Sequence, residues 1–114
     1  MIKTLSTIFT ITMLATAAQA SEIGTYLRDD VEPITARVEN GLLYCTRVSD
    51  GFELCNGMSK QDDGSWHGEK LKNPDMPAFM KFTGTISFDE SQMVLRGCTM
   101  KGKVCKSQTW PEQQ

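Results

Sequence analysis

The sequence predicts an all-β domain, a small antiparallel meander closed into a β-barrel, on three observations. Apolar residues past about position 30 recur mostly with period two, the spacing of a half-buried strand. The alternating runs are short and are separated at fairly even intervals by turn residues such as Asn40-Gly41, Asp50-Gly51 and Lys101-Gly102. No stretch of helical length carries helical spacing. Closing a meander into a barrel removes its exposed edges. A β-sandwich is the alternative, and alternation alone does not separate the two.

Element by element, Ile34, Ala36 and Val38 alternate with Thr35, Arg37 and Glu39 up to the Asn40-Gly41 turn. Leu42 to Val48 follows, with Leu42, Tyr44, Thr46 and Val48 on one face and Leu43, Cys45 and Arg47 on the other. Past Asp50-Gly51, strict alternation puts Phe52, Leu54, Asn56 and Met58 on one face and Glu53, Cys55 and Gly57 on the other. Gln61-Asp62-Asp63-Gly64 is a polar turn, and Trp66 opens a short strand beyond it. Lys72 to Pro77 reads as a loop, because Pro74 and Pro77 cannot both sit in a hydrogen-bonded ladder. Phe79 to Phe88 is the longest strand candidate, with Phe82, Gly84, Ile86 and Phe88 on one face. Asp89-Glu90-Ser91 turns it into Met93 to Cys98, and Val104 to Trp110 is the last arm. Only Glu22 to Asp30 has room for a helical turn, and Gly24, Thr25 and Tyr26 argue against one.

A chain of 114 residues has room for one domain. Its first segment has the three parts of a secretory signal peptide: Lys3, an apolar stretch from Leu5 to Ala15, and Ala18-Gln19-Ala20 as a small-x-small cleavage site before Ser21. Threonines and serines dilute the apolar stretch, and no basic cluster follows it, so a retained anchor is the weaker reading. The expected division is residues 1–20 as a cleaved signal and residues 21–114 as a single β domain, periplasmic or secreted, with no membrane span after cleavage. The chain carries 12 Lys/Arg and 14 Asp/Glu, a net charge of −2, with no block of one sign, which argues against nucleic acid as a partner.

Cys45, Cys55, Cys98 and Cys105 all lie past the signal. An even set in an exported chain defaults to disulfides, and four cysteines allow three pairings. Cys45–Cys55 and Cys98–Cys105 are favoured because each pair brackets a turn. With Lys101-Gly102 as a two-residue hairpin turn, Cys98 directly faces Cys105. Each short loop is worth about 2.5 kcal/mol on the chain-entropy estimate. A zinc site is the weaker reading: the spacings are long, there is no C-x-x-C, and His67 is the only other strong ligand. The missing C-x-x-C also argues against a thioredoxin-like redox role.

Candidate chemistry is sparse. His67 reads as an exposed loop residue with no evident partner. The acidic pairs Asp29-Asp30, Asp62-Asp63 and Asp89-Glu90 sit in turn positions, where carboxylates cap and solvate; two that converged on a bond would suit hydrolysis. Met76 and Met80, with His67, form a candidate weak Cu(I) site, against the plainer reading that methionines fill core gaps. Trp66, Trp110, Tyr26, Tyr44 and the phenylalanines are core candidates. At this size the barrel interior is expected to be filled by side chains, with at most a shallow mouth. No nucleophile elbow, phosphate loop or dinucleotide fingerprint is present.

Leu95-Arg96-Gly97-Cys98, followed by Cys105-Lys106-Ser107-Gln108-Thr109-Trp110, resembles the C-terminal signature of a bacterial envelope family catalogued as domain of unknown function 2147. Gly24-Thr25-Tyr26-Leu27, Gly64-Ser65-Trp66-x-Gly68, Asn73-Pro74-Asp75 and Phe82-x-Gly84-x-Ile86 look like its earlier stretches. Tyr26 departs from the family's usual tryptophan, Met76-Pro77-Ala78-Phe79 from its usual loop, and Cys45 and Cys55 belong to a subgroup at most. The resemblance implies export and a compact, lipocalin-like β-barrel, and no activity. It also implies structural roles: Gly97 permits close approach or a bulge, Cys98 pairs, and Trp110 plugs the barrel end, with Trp66 as a further signature position.

These readings lead to the expectation of a non-catalytic envelope protein, a monomer without cofactor or metal, that binds a small apolar ligand or a protein partner. The alternatives are an envelope hydrolase with carboxylates at the barrel mouth, and weak Cu(I) binding through methionines.

Overall fold

Alternation becomes architecture in eight strands, β1 Ala20–Arg28, β2 Glu32–Glu39, β3 Leu42–Arg47, β4 Glu53–Lys60, β5 Trp66–Leu71, β6 Phe82–Asp89, β7 Gln92–Thr99 and β8 Val104–Pro111. The structure is a computed structural model and describes residues 20–114; the rest of the expected signal, residues 1–19, lies outside the described residues. All eight strands form one sheet in chain order, each antiparallel to the next. The segment in which a helical turn had room is strand β1, as its β-branched and aromatic residues favour.

The sheet curls until its ends meet, which decides for the barrel over the sandwich. Tyr26 of β1 bridges to Glu112 just past β8, and the Gln113 N–H donates to the Thr25 carbonyl at 2.8 Å. Above that seam β8 has no backbone partner on β1, so the barrel is nearly closed rather than sealed. At the seam the Tyr26 ring is buried. Burial, and then the neighbouring Glu112 carboxylate, push its phenol above the usual value.

Two hairpins are set by their turns. Asn40 and Gly41 have φ of 55° and 79°, and Lys101 and Gly102 have 58° and 88°. Positive φ at both central positions is the twist that continues right-handed strands, and glycine at the second makes it cheap. The second turn aligns Thr99 with Val104 and Cys98 with Cys105, the register that the sequence predicts.

Strand β4 corrects the strict alternation. Leu54 and Cys55 are neighbours in the chain yet both are buried, as is Met58. The β3–β4 register slips twice, between Leu43 and Tyr44 and between Cys45 and Thr46, so that Gly57 and Leu54 are each an extra residue. Gly57 has φ 76°, a bulge conformation, and the bulges re-aim Cys55 at Cys45 inside the barrel.

Because consecutive strands alternate in direction, the turns after β1, β3, β5 and β7 gather at one end and those after β2, β4 and β6 at the other. The second end is packed: Leu43, Met58, Trp66 and Met93 are buried there, Ile86 and Trp110 are buried on its inner side, and the Tyr26 and Phe88 ring centroids are 5.4 Å apart.

Glycines in one cross-strand row shape the middle. Gly68 pairs with Gly84, and Gly84 with Gly97. A Cβ on Gly84 would stand 2.3 Å from Leu71 Cδ2 and 3.0 Å from the Arg96 carbonyl oxygen, so Leu71 packs where a side chain would be. A Cβ on Gly97 meets nothing nearer than 3.7 Å. Gly84→Ala is therefore expected to cost about 1–3 kcal/mol in chemical denaturation, by overpacking. Gly97→Ala is expected to leave the midpoint nearly unchanged. Equal costs at both sites would contradict this packing.

Candidate functional site

On the other side of the glycine row the barrel is hollow. A cavity of about 320 Å³ opens at the first end, contrary to the expectation of a filled interior. Its size is at the lower end of small-molecule sites. Leu54, Leu71, Phe82, Ile86 and Leu95 supply apolar wall, and Trp110 forms part of the floor. The space exists because Gly97 and Thr99 stand where larger residues would fill the barrel, and because inward positions on β8 are taken by Lys106 and Gln108. Gln108 does not hang free: its Oε1 accepts a hydrogen bond from Trp110 Nε1 at 2.9 Å, which holds the indole in place.

The long β5–β6 connection, residues 72–81, crosses this end, and Asn73, Pro74, Met76 and Met80 line the cavity from above. A tie holds it down. Arg28 at the end of β1 is 8% exposed and also reaches the cavity wall. Its Nη2 donates to Asp75 Oδ2 at 2.7 Å and to Asn73 Oδ1 at 3.3 Å, while Nη1 donates to Glu32 Oε1 at 2.7 Å. Glu32 Oε2 in turn accepts from Arg47 Nη1 at 3.2 Å, and Arg47 grips Asp50 through two nitrogens at 2.9 and 2.7 Å. One chain of alternating charges, Asp75–Arg28–Glu32–Arg47–Asp50, thus joins three loops of the open end. Burial opposes the Arg28 charge, but the hydrogen bonds to Glu32 and Asp75 outweigh it, so its pKa is raised. The Arg47 guanidinium, together with the Phe52 N–H, holds the Asp50 carboxyl down to about 2.

The cysteine pairs occupy opposite faces of the sheet. Cys45 and Cys55 are joined inside the barrel with Cα atoms 4.6 Å apart, and both are buried. Cys98 and Cys105 are joined with Cα atoms 4.0 Å apart, and both are half-buried. Cys98 pairs on its other side with the exposed Thr83, so this bridge lies on the outer face of the hairpin.

The other sequence candidates separate. Gly97 and Trp110 line the cavity; Trp66 is buried in the packed end, with Lys60 Nζ 5.5 Å from its ring centroid. Met76 and Met80 both border the cavity, but His67 stands exposed on the outer face of β5, its Nδ1 3.5 Å from Thr85 Oγ1, at the opposite end of the barrel. The Cu(I) candidate therefore loses its histidine. Asp29-Asp30 and Asp62-Asp63 are exposed in turns, Asp89-Glu90 is exposed at the end of β6 and the turn after it, and none borders the cavity, which leaves the barrel-mouth hydrolase without these acidic pairs. Sequence reasoning missed Arg28 and Asp75. The available signal was an arginine just before a turn and an Asn-Pro-Asp loop, and neither says that the two meet.

A family model described as an uncharacterized protein conserved in bacteria (DUF2147) matches residues 29–112. The chain belongs to this family. The match takes in seven of the eight strands, β2 to β8, and therefore most of the cavity wall and the whole β5–β6 loop. Within the matched stretch, Gly97 and Trp110 border the cavity, and Cys98 and Cys105 are joined across the hairpin beside it. No curated protein and no solved structure matches the chain.

Proposed function

We propose that this DUF2147 protein is an exported envelope protein that binds one small apolar ligand in the open half of its barrel. The observation that carries the reading is the cavity of about 320 Å³, walled by aliphatic and aromatic side chains and open at one end. That volume holds about ten water-sized groups, the bulk of a short aliphatic chain or a small ring system. Apolar surface removed from water drives such binding, and polar rim groups orient the ligand. Export is supported by the signal-like first 20 residues and by two cysteine pairs at bonding distance, which persist in oxidising compartments.

The experiment is displacement of a fluorescent fatty-acid analogue by unlabelled short-chain acids and alcohols. Saturable displacement is expected for the natural chain. Gly97→Val, which projects a side chain toward Leu71 and Phe82, is expected to abolish it while leaving the far-ultraviolet spectrum unchanged. Absence of saturable binding, or binding indifferent to Gly97→Val, would sink the reading. Recovery of protein from the periplasm with an N-terminus at Ser21 tests the export half, and material retained with residues 1–20 contradicts it.

A further inference from the structure

The two ends of the barrel differ in more than packing. Val31, Val48, Met76, Phe79 and Val104, the strongly exposed large apolar residues among those described, all stand at the open end; Phe79 is 80% exposed and Val104 54%. The turns of the packed end, Asn40-Gly41, Gln61 to Ser65 and Glu90-Ser91, present no large apolar side chain and carry Asp62, Asp63 and Glu90, with Asp89 and Lys60 alongside.

Charge divides the open rim again. On the β1–β4 side Asp29 and Asp30 are exposed beside Val31, and Asp50 is held by Arg47. On the β5–β8 side stand Lys72, Lys81, Lys101, Lys103 and Lys106. None of these lysines has a salt-bridge partner among the described residues. The only acid within residues 72–81 and 99–106 is Asp75, and it is bonded to Arg28. The register brings these lysines together: Thr83 lies opposite Cys98 and Cys98 opposite Cys105, so Lys81 at the foot of β6 neighbours the Lys101–Lys103 turn. A chain of net charge −2 thus carries a purely basic rim sector with Met76, Phe79 and Val104 between the lysines, and acids at its far end.

We propose that the β5–β8 sector of the open rim docks on an anionic lipid surface, with Met76, Phe79 and Val104 inserting shallowly and the five lysines among the headgroups. The apolar tips are few, two from the β5–β6 loop and one from the start of β8, with cations flanking them, which suits a headgroup layer rather than a contiguous protein-docking patch. Long lysine stems lie along apolar surface while their ammonium groups reach phosphate. The acidic far end would be repelled from such a surface, so the dipole orients the molecule with its cavity mouth against the lipid. The docking geometry holds whether or not the cavity is filled.

The test is flotation of the exported protein with vesicles of phosphatidylglycerol and, separately, of phosphatidylcholine. Binding to the first, weakened by salt, and little to the second is expected. Lys101→Gln with Lys103→Gln is expected to weaken binding about fivefold per charge. Phe79→Ser is expected to weaken it as well, and all three sites are exposed enough to leave folding intact, checked by the far-ultraviolet spectrum. Equal binding to both lipids, binding to neither, or binding unmoved by these variants overturns the proposal. Concentration-dependent self-association lost in Phe79→Ser would assign the face to a second copy of the chain, and overturns it too.

Discussion

Replacing Cys45 and Cys55 together by alanine is expected to lower the unfolding free energy by about 2–5 kcal/mol, enough to leave much of the chain unfolded at physiological temperature. The two bridges close loops of similar length, with sequence separations of 10 and 7, so their chain-entropy contributions are nearly equal. Burial separates them. Cys45 and Cys55 are 0% and 2% exposed in the core, and truncating them also leaves an unfilled space beside the buried Ala36. The Cys98–Cys105 bridge lies on the outer face, so its loss is expected to cost only the loop contribution, about 2.5 kcal/mol. Chemical denaturation of the two double variants measures the difference. Access follows the same order: a mild reductant followed by alkylation is expected to label Cys98 and Cys105 before Cys45 and Cys55. An outer bridge that is the costlier to remove, or the slower to reduce, would contradict this account of the core.

The second large effect concerns the loop over the cavity. Arg28→Met removes the guanidinium that ties Asp75 and Asn73 to β1 and leaves Glu32 with Arg47 alone. Asp75 is 74% exposed and water takes over its charge, so the stability loss is modest, about 1–3 kcal/mol. The local consequence is larger. Residues 72–81 lose their tie, and trypsin is expected to cut after Lys72 and Lys81 at a markedly higher rate while the strands resist. Hydrogen exchange at Met76 and Met80, whose amides donate within the loop to Asn73 and Pro77, should accelerate with it. Asp75→Asn, which keeps Arg28 and its bond to Glu32, is expected to loosen the loop less. Unchanged cleavage in Arg28→Met would show that the loop is held by something else.

Much of the fold was legible because its determinants are local. Asn40-Gly41 and Lys101-Gly102 specify tight turns by themselves, and once the second is placed, Cys98 must face Cys105. Ile34 with Ala36, and Gly84 with Ile86, show their buried face by alternation alone. What escaped is what depends on the register between strands. The bulges that put Leu54 and Cys55 on the same side are invisible to a period-two reading. The cavity was missed for the same reason: Gly97 and Thr99 on β7 and Lys106 and Gln108 on β8 share an inward face beside Phe82 and Leu71 only after β5 to β8 are aligned. Arg28 and Asp75 are 47 residues apart, and each looks like an ordinary surface charge.

The central claim is that the open half of the barrel is an apolar binding site floored by Trp110, and the two tryptophans allow it to be tested directly. Trp110 borders the cavity; Trp66 is buried in the packed end and does not line it. Titration with a brominated short-chain fatty acid is expected to quench the Trp66→Phe variant, which keeps Trp110, saturably and at one site. The Trp110→Phe variant, which keeps Trp66, should stay bright over the same range. Equal quenching of both, or none of Trp110, would contradict the placement of the site.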